Sequence, residues 1–112
     1  MLHDDTVTRV RAPYKVDKYG NTSTERDWTN ATRVTWTGVS FQPDVSTEAT
    51  GDRPSVVTGY RLLSRHGVNL DLLATDRIEA DGMTLEVDGK VGRFRMSGRV
   101  HHVEARLKEV SG

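Results

Sequence analysis

The side chains of this 112-residue chain that could do chemistry are few and scattered. His66, His101 and His102, with Asp71 or Asp76, are of the types that hold a transition metal. Neighbouring residues of a strand point to opposite faces, however, so His101 and His102 are not expected to share a site. The spacing predicts one partly buried and two surface histidines, and no metal. Ser64, His66 and Asp71 supply the residue types of a hydrolytic triad, but no nucleophile elbow surrounds Ser64. Asp4 and Asp5 pair two carboxylates at a terminus expected to fray, without the burial that tunes a general acid. The absence of cysteine removes disulfides, thiolate metal sites and cysteine nucleophiles together. No glycine-rich loop has phosphate-cradling spacing, so no cofactor is expected. These residues predict a protein that is not an enzyme.

A basic strand is the remaining candidate. Arg93 and Arg95 flank Phe94, with Arg99 beyond, in the manner of a strand that stacks on bases and holds phosphates. Alternation puts the two arginines on one face and Phe94 on the other, which assigns Phe94 to the core. The chain carries 16 basic and 16 acidic residues, so no global field draws it to nucleic acid or to an anionic membrane. Asn30-Ala31-Thr32 matches a glycosylation acceptor, but Asp4 and Asp5 stand where a signal peptide would be basic. No apolar stretch approaches the roughly 20 residues that span a bilayer. The expectation is a soluble chain made in a reducing cytoplasm.

The elements that must position these residues read as strands. Residues 1–31 are polar and turn-rich, which predicts an arm with one short strand at 7–11 and Trp28 as its anchor. Residues 32–42 alternate with Val34 and Trp36 on one face, then shift phase to Val39 and Phe41 at Gly38, as a bulge or barrel corner requires. Residues 43–54 are bounded by prolines and carry three acids against one arginine, which predicts a long exposed loop. A strand with Tyr60 and Leu62 on one side follows, and then an irregular stretch holding Leu70, Leu72 and Leu73. Met83, Leu85 and Val87 alternate between Asp81-Gly82 and Asp88-Gly89, and the second dipeptide predicts a tight hairpin into the strand carrying Phe94. The last run places His101, Val103, Ala105 and Leu107 on one face. About six strands at short spacing predict an all-β fold, a small antiparallel β-barrel over residues 32–112 with residues 1–31 packed on it as an arm. Its expected core is Val34, Trp36, Phe41, Tyr60, Leu62, Leu85, Val87, Phe94, Val103 and Leu107. A hydrophobic content of 35% against 29% charged residues is polar for this size and leaves partner subunits a share in the stability.

In order along the chain, Tyr19-Gly20-Asn21 with Asp27-Trp28, Gln42-Pro43, Tyr60-Arg61-Leu62, Asp76-Arg77-Ile78, Leu85-Glu86-Val87-Asp88-Gly89 and the run 102–107 form a pattern. This pattern resembles the head-to-tail stopper, or head-completion, proteins of long-tailed double-stranded DNA bacteriophages. The resemblance implies a structural virion protein that forms a homo-oligomeric ring of six or twelve copies in the neck after synthesis in the bacterial cytoplasm. The ring would lie below the portal or adaptor and above a tail-terminator or tail-tube protein, close the DNA exit channel after packaging and offer a docking surface to the tail. Contact with packaged DNA would be non-specific, with no membrane involved. By position, the family's channel-plugging loop falls on Pro43, Asp44, Val45, Ser46, Thr47, Glu48, Ala49, Thr50, Gly51, Asp52, Arg53 and Pro54. The competing expectation is a small β-barrel nucleic-acid-binding module.

Overall fold

The computed structural model describes residues 4–46 and 56–110. Its strands are β1 (Asp5–Arg11), β2 (Tyr14–Val16), β3 (Thr22–Arg26), β4 (Thr32–Ser46), β5 (Val56–Leu63), β6 (Arg77–Ala80), β7 (Met83–Val87), β8 (Gly92–Met96) and β9 (Arg99–Glu109). The order β5-β4-β1-β6-β7-β9 closes on itself because β5 also pairs with β9, from Tyr60 opposite Leu107 to Leu63 opposite Glu104. The fold is thus a closed six-stranded antiparallel β-barrel, with β8 outside the ring along β9. Closure needs a close approach at Gly59, where an added Cβ would lie 2.8 Å from the Leu107 carbonyl oxygen.

Each wall strand follows from its local sequence. The first half of β4 pairs with β1 and the second half with β5. Between them Gly38, at φ +68°, is skipped in the register as Asp5 faces Val39 and Thr6 faces Thr37. The glycine at the change of phase is therefore the bulge that turns the wall. Asp81 and Gly82, at φ +50° and +76°, join β6 to β7 as a two-residue turn of the I′ kind. The hairpin expected at Asp88-Gly89 does not form, because β7 and β8 lie end to end along β9 and are not paired. Ser97 and Gly98, at φ +50° and +78°, make the second tight turn, between β8 and β9.

The interior is filled by Val7, Val39, Leu62, Leu72, Ile78, Leu85, Val103 and Leu107 among others. Val87 is buried with them, and Trp36, Phe41 and Tyr60 pack half-buried against the cluster. Two expected core residues lie elsewhere. Val34 is 41% exposed, because its cross-strand neighbour is Arg9, where the apolar interior gives way to charge. Phe94 is 49% exposed, because β8 stands outside the ring and neither of its faces meets the interior.

The division into an arm and a barrel also needs correction. β1 is a wall of the ring, paired with both β4 and β6. Val7 enters the interior, and Val10 on the opposite face is buried as well. Among the described residues only β2 and β3 form a separate two-stranded sheet, followed by a short 3-10 turn, Trp28–Asn30. This arm is anchored where the Arg77 guanidinium lies over the Trp28 ring at 4.0 Å and where Arg26 donates to the Ala12 carbonyl.

Candidate functional site

Three features of the barrel stand out, two built from polar side chains and one from paired strands, and the first lies at one of its ends. Val7, Arg9 and Arg11 share a face of β1 by alternation, so the inward row passes from apolar to cationic. Residues 64–76, between β5 and β6, lie across these arginines. Leu70 and Leu72 of this loop are buried, and Asp76 is 1% exposed. Arg11 donates to both oxygens of Asp76 at 2.9 Å through Nε and Nη2, and Asp76 also accepts the Leu73 N–H at 2.8 Å. Arg9 and Arg11 both reach Asp71, at 3.1 and 3.2 Å. From outside the ring, Arg93 Nη2 donates to the carbonyls of Leu70 and Leu72 at 3.1 and 2.9 Å. The hydrogen bond from Arg11, followed by its charge, holds the Asp71 carboxyl below the usual carboxylate range. The bond to Asp76 raises Arg11 in turn, against its burial. The arginines expected to present charge on β8 are therefore divided, with Arg93 spent on the loop.

The histidines form the second feature. The rings of His101 and His102 meet, with their Nδ1 atoms 2.8 Å apart, and His66 lies against His101 at a centroid distance of 4.1 Å. The expectation of opposite faces fails for a local reason. In the pairing of β8 with β9, Phe94 faces His102 while Arg95 faces Val100, so His101 is the extra residue of a bulge and its side chain is re-aimed. Phe94 stacks on His102 at 4.7 Å and 10° between planes. Among the described residues no group of three or more His, Asp or Glu is placed to hold a metal ion. Ser64 is not poised as a nucleophile beside them: it is 2% exposed, donates to the Val68 carbonyl at 2.8 Å and accepts the Val103 N–H at 2.7 Å. Asp71, its supposed partner in a triad, is bound to the arginines.

The third feature is a ribbon. Pairing of β4 with β1 ends at Val39 and pairing of β5 with β9 ends at Tyr60, yet β4 and β5 continue together to Ser46 opposite Val56. Phe41 and Tyr60 stack at its base, with ring centroids 5.1 Å apart. Four residues assigned to the exposed loop, Pro43, Asp44, Val45 and Ser46, are strand. The others, Thr47, Glu48, Ala49, Thr50, Gly51, Asp52, Arg53 and Pro54, lie outside the described residues.

A groove of about 380 Å³ runs between β5, β8 and β9, lined by Arg61, Asp88, Lys90, Phe94, Glu104 and Arg106 among others. Its acids alternate with its bases, and Glu104 pairs with Arg61 at 3.7 Å, so the groove is not a continuous basic track. No helix among the described residues is long and apolar enough to cross a membrane. No family model matches the chain, and no curated protein matches it.

Proposed function

We propose that the chain is a structural subunit of a bacteriophage neck, a stopper that closes the DNA exit channel after packaging and gives the tail a docking surface. The observation that carries this reading is the β4–β5 ribbon, which outruns the closed ring and continues in sequence into the acidic segment 47–55. A ribbon leaving a barrel at one point is suited to reach from a ring of subunits into a lumen. Near-neutral net charge supports the same role, since DNA that must later slide past a ring is not held by counterion release. A closed barrel leaves few strand edges, so copies meet through the arm, β8 and loops, where adaptor and tail proteins also dock. The order of sequence motifs from Tyr19 to Leu107 supports the family to which this role belongs.

Cryo-EM of the particle neck tests the assignment. A ring of this chain beneath the adaptor is expected, and a neck that lacks the chain overturns it. Deletion of residues 45–52 tests the plug separately: particles that lose DNA before tail joining are expected, and particles that retain it remove that role from the ribbon. Binding of DNA by the isolated chain that falls steeply with added salt favours the nucleic-acid-binding module instead.

A further inference from the structure

Two neutral imidazoles whose Nδ1 atoms lie 2.8 Å apart need a single proton between them, one ring donating N–H and the other offering its lone pair. The bond survives uptake of one proton, because an imidazolium Nδ1–H still donates to a neutral partner. A second proton makes both Nδ1 atoms donors, and the rings must separate.

The two rings have different surroundings. His102 Nε2 is 3.6 Å from the Glu104 carboxylate, and the Phe94 ring stacks on the imidazole. His101 is flanked by His66 on one side and His102 on the other. Among the described residues, the titratable and charged groups in contact with the cluster include His66 from the 64–76 loop and Glu104 from β9, itself paired with Arg61 of β5. Arg93 of β8 is turned to the loop carbonyls, and Arg65 lies over Gly38 on β4.

His101 also stands at a joint. Its carbonyl accepts the Gly67 N–H at 2.8 Å, and next to it Ser64 bonds Val103 by both its N–H and its hydroxyl. The β8–β9 hairpin thus meets the start of the 64–76 loop through these bonds and, beside them, through the ring contact of His66 with His101.

We propose that His66, His101 and His102 form a proton-operated latch between the β8–β9 hairpin and residues 64–68, closed while one proton is shared between the two Nδ1 atoms and opened when His101 takes up its own. Burial, with the nearby His66 and His102, lowers the His101 pKa from its ordinary value. The folded state therefore binds fewer protons than the unfolded chain at mildly acid pH. The stabilisation is complete above about pH 6.5, the unperturbed histidine value, and is lost as the pH falls through the lower folded value.

The test follows the histidine ring resonances and backbone amide exchange of the full-length protein by NMR between pH 8 and pH 4.5. His101 is expected to titrate below the ordinary histidine range, and the Gly67 amide to lose roughly tenfold or more of its protection, after correction for intrinsic exchange, as His101 charges. The amide of Leu62 in the β4–β5 wall is the control and should hold. A His101 that titrates at or above the ordinary histidine range overturns the latch, as does Gly67 protection that is indifferent to pH. The variant His102→Gln, which keeps a side-chain hydrogen-bonding group but removes the shared proton, is expected to flatten the response at Gly67. An undiminished response in that variant assigns the opening to other groups and also overturns the proposal.

Discussion

The irregular loop 64–76 and the regular β2–β3 hairpin differ in a way that runs against their backbone order. The hairpin satisfies its own backbone hydrogen bonds, with Tyr14 opposite Arg26 and Val16 opposite Thr22, yet almost all of its residues are exposed. The loop has no ladder, but it sinks Leu70 and Leu72 into the core and is held by Arg9, Arg11 and Arg93. Strand pairing joins two segments to each other, whereas burial and charge-assisted bonds join a segment to the fold. The loop therefore belongs to the cooperative unit and the hairpin is an appendage.

Substitutions can break this contrast. The largest effect is expected at Leu72, which is 0% exposed: Leu72→Ala should cost about 3 kcal/mol of unfolding free energy by leaving a cavity under the loop. A urea-denaturation loss below about 1 kcal/mol would show that the loop is not coupled to the core. Next comes Asp76→Asn, which removes the charge that Arg11 grips with two bonds. A loss of about 2 kcal/mol is expected by the same measurement, because a group buried to this degree leaves its partner without an equivalent acceptor. An unchanged midpoint would reduce the ionic end of the barrel to decoration. The smallest effect sharpens the contrast from the other side. Val16→Thr in the hairpin, at a residue 61% exposed, should shift stability by no more than about 0.5 kcal/mol in a thermal melt. A larger loss would mean that something covers the hairpin in the folded protein.

The ionic end was visible in the sequence only as a hint. Arg9 and Arg11 at period 2 after Val7 place two cations on an inward row, and such a row requires acids from elsewhere in the fold. Nothing in the residues names Asp71 and Asp76, roughly sixty positions on, as the partners. The histidine pair was less visible still. Alternation forbids it, and only the bulge in β9 at His101 permits it. Phe94 was misplaced for a related reason: period 2 separates it from Arg93 and Arg95, but does not say which face of a strand outside a ring meets apolar surface.

Local rules decided a good deal by themselves. Positive φ at Asp81-Gly82 demands a residue pair of that kind, the change of phase at Gly38 demands a bulge, and alternation from His101 to Leu107 assigns Val103, Ala105 and Leu107 to the interior. These choices depend on neighbours within a few residues, and so they stand written in the chain. The place of β1 in the ring, the exposure of Val34 and Phe94, the loop closing the ionic end and the convergence of the imidazoles were decided only by tertiary structure. The closure of β5 onto β9 settles which faces are inside, and the bulge in β9 brings the imidazoles together.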